Sequence, residues 1–124
     1  MDVVISNLSE TPIYLQIVEQ IKSGILKGTL SENDVLPSIR GLAKELKISV
    51  ITTKKAYEEL EREGYIISVA GKGCYVAPQN RALMQENRLK KVEEALSAAV
   101  ETAQAMQVSR AEVEAMLKLL YEEE

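Results

Sequence analysis

The sequence contains no histidine, no phenylalanine, no tryptophan and only one cysteine. Without histidine, the side chain best suited to proton transfer near neutral pH is missing. The lone thiol, Cys74, excludes an internal disulfide framework and reads as a buried, inert strand residue. No carboxylate pair fills the gap. Glu32 and Asp34 sit in a turn-forming run with no third ligand, as solvated turn residues do. Acid–base, nucleophilic and metal-assisted catalysis are therefore not expected, and neither is a cofactor. The core must be built from Leu, Ile, Val, Ala and a few of the five tyrosines. No apolar run approaches the ~18 residues of a membrane span, and no basic segment leading into an apolar stretch opens the chain. A non-enzymatic, cytoplasmic protein without membrane contact is the expectation.

A net charge of -4 over 124 residues argues at first against a nucleic-acid partner, because phosphate binding rests on Lys and Arg. The distribution matters more than the sum. Residues 40–55 carry five basic side chains against the single acid Glu45, a net of +4, whereas residues 81–124 carry six basic and nine acidic ones, a net of -3. A basic face on an acidic protein can dock on DNA.

The basic stretch has the pattern of two short helices joined by a tight turn. Pro37-Ser38 is a start signal with Ser38 at the N-cap, and Leu42, Ala43 and Leu46 follow at helical spacing. Lys47-Ile48-Ser49 is too short for a loop, and Ser49 is placed to cap a second helix. That helix turns Thr53, Ala56, Tyr57 and Leu60 to one side and exposes Val50, Ile51, Thr52, Lys54 and Lys55. A capped helix presenting hydroxyls and cations, braced by a shorter one, is how a helix-turn-helix reads a major groove.

The flanks support this reading. Val3-Val4-Ile5 is a candidate short strand within an N-terminal segment over residues 1–10. Thr11 as cap and Pro12 at the first helical position open a helix whose Tyr14, Ile17, Val18, Ile21 and Ile25 share a core face, and Gly28 ends it. After Gly64, strand formers over 65–69 and 74–77 flank Ala70-Gly71-Lys72-Gly73, a hairpin with a basic tip. Its placement after a helix-turn-helix makes it a wing; a plain hairpin with a solvated lysine is the alternative.

Beyond residue 79 the pattern changes. Leu89, Val92, Leu96, Ala99, Ala103 and Met106 follow a heptad on a helix from about Asn80 to Met106, roughly 40 Å long. Gln107-Val108 breaks it, and Ser109 to Glu112 matches a capping box for a last helix with Val113, Met116, Leu117 and Leu120 on one face. A hairpin of two such helices cannot cover both stripes. A second copy of the chain is the economical cover, giving a symmetric contact; packing back on the first module is the alternative. The expected fold is mainly α with a small β-hairpin. It comprises a winged helix-turn-helix over 11–79 and a two-helix dimerisation hairpin over 80–124.

This order and its residues resemble the N-terminal domain of the GntR family of bacterial transcription regulators, from Pro12 to about Ala77. Pro12 to Ile17 resembles the opening helix. Gly28-Thr29-Leu30, Asp34, Leu36-Pro37-Ser38, Arg40, Leu42 and Ala43 resemble the central signature, continued by Thr52, Lys54 to Tyr57 and Glu63 to Ile66. The short helical tail is similar to the YtrA-like group. The resemblance implies a homodimeric regulator, a repressor of a nearby and transporter-related operon, bound to a two-fold symmetric double-stranded DNA operator. A small-molecule effector would have to use a groove between modules or subunits. DNA contacts are expected from Arg40, Ser49, Val50, Ile51, Thr52, Lys54, Lys55 and the wing residues Gly71, Lys72 and Gly73. Val50 departs from the arginine common in the family, and Ile51 from a polar residue. Such a pair can meet thymine methyl groups but cannot donate to guanine. The competing function is a winged-helix protein-interaction adaptor that does not bind DNA.

Overall fold

The computed structural model describes residues 1–79 and 81–122. Asn80, where the C-terminal helix is expected to begin, and the terminal Glu123 and Glu124 lie outside the described residues. In chain order the elements are α1 (Ile13–Lys27), α2 (Ile39–Leu46), α3 (Val50–Arg62), β1 (Ile66–Val69), β2 (Gly73–Val76), α4 (Arg81–Ala105) and α5 (Arg110–Glu122). They fall into two units, one over Met1–Met84 and one from Gln85 onward. The division lies inside α4, slightly past the boundary expected at 79/80, because Met84 still packs on the core of the first unit.

That core follows the apolar stripes of the sequence. Ile17, Val18, Ile21 and Ile25 of α1 meet Leu36, Leu42 of α2, Ala56, Tyr57 and Leu60 of α3, and Ile66 and Val76 of the hairpin. Each fully buried aliphatic side chain contributes roughly 1.5–3 kcal/mol relative to exposure. β1 and β2 pair antiparallel, with Ile66 opposite Val76 and Val69 opposite Gly73. Gly28 ends α1 with φ 84°, in the left-handed region.

Two N-terminal expectations change. Val3-Val4-Ile5 is not a strand. Its backbone is held instead by glutamine side chains one turn apart on α1. Val4 N–H donates to Gln20 Oε1 at 2.8 Å and Gln20 Nε2 donates to Val4 O at 2.6 Å. Ser6 N–H donates to Gln16 Oε1 at 2.9 Å and Gln16 Nε2 returns a bond to Ser6 O at 3.0 Å. The amides supply the pairing a neighbouring strand would have given, while Val3 and Ile5 pack on the core. The second change is the start of α1. Pro12, not Thr11, is the N-cap, with no side-chain cap bond. Gln16 Nε2 donates to the Thr11 carbonyl at 2.9 Å, tying that residue into the N-terminal segment.

α4 runs for 25 residues, from the end of the first unit into the second. Gln107 breaks the helix at φ 59°, and the Ser109 hydroxyl accepts from Glu112 N–H at 3.2 Å, the expected cap of α5. Beyond this turn the two helices lack the close packing that joins α1 to α3. They leave a groove of about 640 Å³ lined by Leu96, Val100, Ala103, Val108 and Val113.

Tyr57 ties α3 to the start of α2: its buried hydroxyl donates to Pro37 O at 2.7 Å. Burial pushes its phenol above the ordinary tyrosine range, with the electrostatic influence of the neighbouring Cys74 and Glu45 adding to the effect. The folded phenol stays protonated where the unfolded one ionises, so stability present below pH ~10 is lost as pH rises beyond it. Tyr57→Phe should cost about 1–3 kcal/mol at neutral pH through the lost hydrogen bond. In urea unfolding, its stability should fall less than the parent's between about pH 9 and pH 11. Equal alkaline losses would contradict this role for Tyr57.

Candidate nucleic-acid interface

The turn between α2 and α3 closes through backbone geometry that its sequence supplies. Lys47 adopts φ 58° and Ile48 N–H donates to Ala43 O at 3.0 Å, which satisfies the end of α2. At the other end of α2 the Ser38 hydroxyl accepts from Gly41 N–H at 2.9 Å. Ser49 then caps α3: its Oγ accepts from Thr52 N–H at 3.0 Å and donates to Thr52 Oγ1 at 2.8 Å. Ser49, expected as a DNA contact, is thus engaged in holding the helix start. Thr52 Oγ1 accepts from Ser49 and keeps its own proton available to a partner. Thr53 is fully buried and donates to Ser49 O at 3.1 Å.

The opening turn of α3 carries no acidic side chain. Ile51 is 80% exposed and Val50 45%, so two apolar side chains face solvent at the tip of the helix. Lys54 is exposed and lies 3.8 Å from Glu58, a loose pair of the kind that contributes little. Lys55 departs from a free solvated cation, because its ammonium sits 4.0 Å from the centre of the Tyr14 ring on α1. Arg40 is exposed on the first turn of α2, beside Gly41.

At the hairpin, Lys72 N–H donates to Val69 O at 2.9 Å and closes a tight loop through Ala70, Gly71 and Lys72. Gly71 at φ 76° and Gly73 at φ 98° adopt backbone that a side chain would strain, so the tip is narrow with only Lys72 projecting. The Tyr75 hydroxyl braces it by donating to Lys72 O at 3.0 Å.

The turn-like residues before α2 do more than the sequence suggests. Asn33 N–H donates to Val76 O, Val76 N–H to Asp34 O and Leu36 N–H to Cys74 O, each at 2.9 Å, with Val35 bridging Tyr75. This third edge couples the hairpin to the start of α2, and Ser68 Oγ donating to Glu61 Oε2 at 3.0 Å couples it to α3. The run Val35-Leu36 before Pro37 was the available signal.

On the second unit the heptad positions Leu89, Val92, Leu96, Ala99 and Met106 of α4 are exposed, as are Met116, Leu117 and Leu120 of α5. Ala103 and Val113 are half-buried. Among the described residues no group of acids and cysteine is placed to hold a metal ion, and no helix is long and apolar enough to cross a membrane.

A capped recognition helix, a bracing helix and a coupled hairpin with a basic tip define a winged helix-turn-helix, a DNA-binding module. The model of the bacterial regulatory proteins of the gntR family matches residues 13–76. The chain is 41% identical over 88 residues to the HTH-type transcriptional repressor YtrA of Bacillus subtilis (strain 168), covering 71% of this chain and 68% of that protein. A transcriptional regulator from Oenococcus oeni superposes with a TM-score of 0.77 at 29% identity, covering 95% of this chain and 98% of that one. The DNA-binding domain of AraR, solved in complex with operator ORX1, superposes with a TM-score of 0.53 at 33% identity over 60% of this chain and 92% of that one. The chain belongs to the GntR family, with the short helical tail of its YtrA-like members, and is a sequence-specific DNA-binding transcription regulator. These relatives are regulators rather than enzymes, and they lend no support to an adaptor that does not bind DNA.

The double use of the Ser49 hydroxyl has a measurable consequence. Ser49→Ala should lower stability by about 1 kcal/mol, a fall in Tm of roughly 4–8 °C, and Ser49→Asp should restore most of it. A Ser49→Ala protein melting with the parent would leave Ser49 as a surface contact only.

Proposed function

We propose that this regulator acts as a homodimer on a two-fold symmetric double-stranded DNA operator, repressing a nearby operon from the cytoplasm. The repressor assignment is supported by the similar protein named as a repressor, and a transporter-related target by the YtrA-like resemblance. The observation that carries the reading is the two-sidedness of α3. Its back face is buried, and its front presents Val50, Ile51, Thr52, Lys54 and Lys55 with no acid in the first turn. Arg40 and Lys72 would contact phosphates, and the narrow Gly71–Gly73 tip would lie along the sugar-phosphate backbone or adjoining minor groove. Ser49 would hold the geometry. Val50 and Ile51 favour thymine methyl contacts over guanine, so discrimination leans on Thr52, Lys54 and DNA shape.

One copy of so apolar a reader would bind feebly, and a second copy supplies the missing affinity. The surface offered for it is the uncovered seam of α4 and α5, where Leu89 is 62% exposed, Met106 71% and Leu120 64%. Large apolar side chains this exposed on both helices support an association site there. A small-molecule effector would lodge in a groove such as the one between α4 and α5.

Selecting duplexes from a random pool should recover inverted half-sites with thymine opposite the start of the recognition helix. Half-sites fixed by guanine there would overturn the methyl reading, and recovery of no duplex would return the adaptor. Leu96→Glu should shift sedimentation toward monomer and reduce operator affinity. A dimer that survives Leu96→Glu would show that the seam lies elsewhere.

A further inference from the structure

Lys54 and Lys55 are adjacent on α3 but sit in different surroundings. Lys54 has Glu58 one turn on. The equivalent partner of Lys55 would be Glu59, yet both oxygens of that carboxylate are taken by Arg62, through Nε at 3.1 Å and through Nη2. The Arg62 hydrogen bond also holds the Glu59 carboxyl below its ordinary range, so it stays ionised and committed. Lys55 is left facing Tyr14, with its ammonium 4.0 Å from the ring centre. Tyr14 is half-buried, packed on the core near the start of α1, so its ring is a fixed platform.

A ring and a carboxylate hold a cation with different consequences. A carboxylate neutralises it. An aromatic face attracts it through the quadrupole and leaves its full charge in place. A free lysine must also lose rotamer freedom when it is fixed on a partner, a cost of roughly two- to tenfold in affinity.

We propose that Tyr14 is a positioning residue for DNA binding, whose ring pre-fixes the fully charged Lys55 ammonium as a contact for a backbone phosphate beside the recognition helix. The inference rests on the DNA-facing reading of α3. It assigns α1, otherwise a core helix, a share in the phosphate contacts.

The test uses the full chain and the best-bound duplex recovered from a random pool, titrated over a range of salt. Lys55→Gln should weaken binding and reduce the log–log salt slope by about 0.9 per protomer. Tyr14→Leu should weaken binding roughly two- to tenfold per protomer, and Tyr14→Phe, which keeps the ring, should restore it. In the Lys55→Gln background Tyr14→Leu should have little further effect. That non-additivity separates positioning from damage to α1, which would weaken binding equally in both backgrounds. An additive cycle, an unchanged salt slope in Lys55→Gln, or tighter binding by Tyr14→Leu (a ring that holds the lysine away from DNA) would each overturn the proposal. Absence of any recovered duplex would instead sink the DNA-facing reading on which it rests.

Discussion

Thr53, Ala56, Tyr57 and Leu60 are buried along one side of α3, and the first unit's outward chemistry follows from that contact. With this side held against α1 and the hairpin, a helix of 3.6 residues per turn must carry Val50, Ile51, Lys54 and Lys55 outward. The Tyr57 hydroxyl fixes the spacing between α3 and the start of α2 by its bond to Pro37. Lys22 on α1 pins the far end of α3, pairing with Glu63 at 2.8 Å in a partly shielded position. The recognition helix is thereby held at both ends and along its back, which suits a surface that must meet a rigid duplex without rearranging.

Specificity and affinity draw on different parts of the molecule. The tip of α3 is poor in hydrogen-bond donors, since Val50 and Ile51 offer only methyl contacts and the Ser49 hydroxyl is engaged in the cap. Phosphate attraction from Arg40, Lys55 and Lys72 would carry no sequence information. A reader of this kind gains most from duplication, because two linked half-sites add their energies at the cost of one association. The exposed seam of α4 and α5 is the feature that would provide it.

Local rules made most of the first unit legible in advance. Ser38 and Ser49 announce their helices because capping is a short-range bond, as Ser109 does in the second unit, and the buried residues of α1 and α3 fall at helical spacing. The hairpin was marked by strand formers around Gly71 and Gly73. What escaped depends on distant partners. The pairing of residues 33–36 with β2 spans some forty positions, and turn-forming side chains masked it. Gln16 and Gln20 look like ordinary polar helix residues until the N-terminal segment lies across them, which is also why Val3 to Ile5 read as a strand. The placement of Lys55 over Tyr14 depends on Arg62 having claimed Glu59, a competition that spacing alone does not resolve. The lack of close packing between α4 and α5 was hidden for a similar reason, since apolar stripes specify that a face be covered without specifying by what.

On this reading, two copies of one weakly polar recognition helix, coupled through the C-terminal helices, would read a symmetric site. Footprinting the purified full chain on the DNA upstream of its own gene tests it most directly. Two equally protected half-sites related by a two-fold axis, appearing together as protein is added, are expected. Protection of a single half-site, or of two half-sites filling independently, would contradict it.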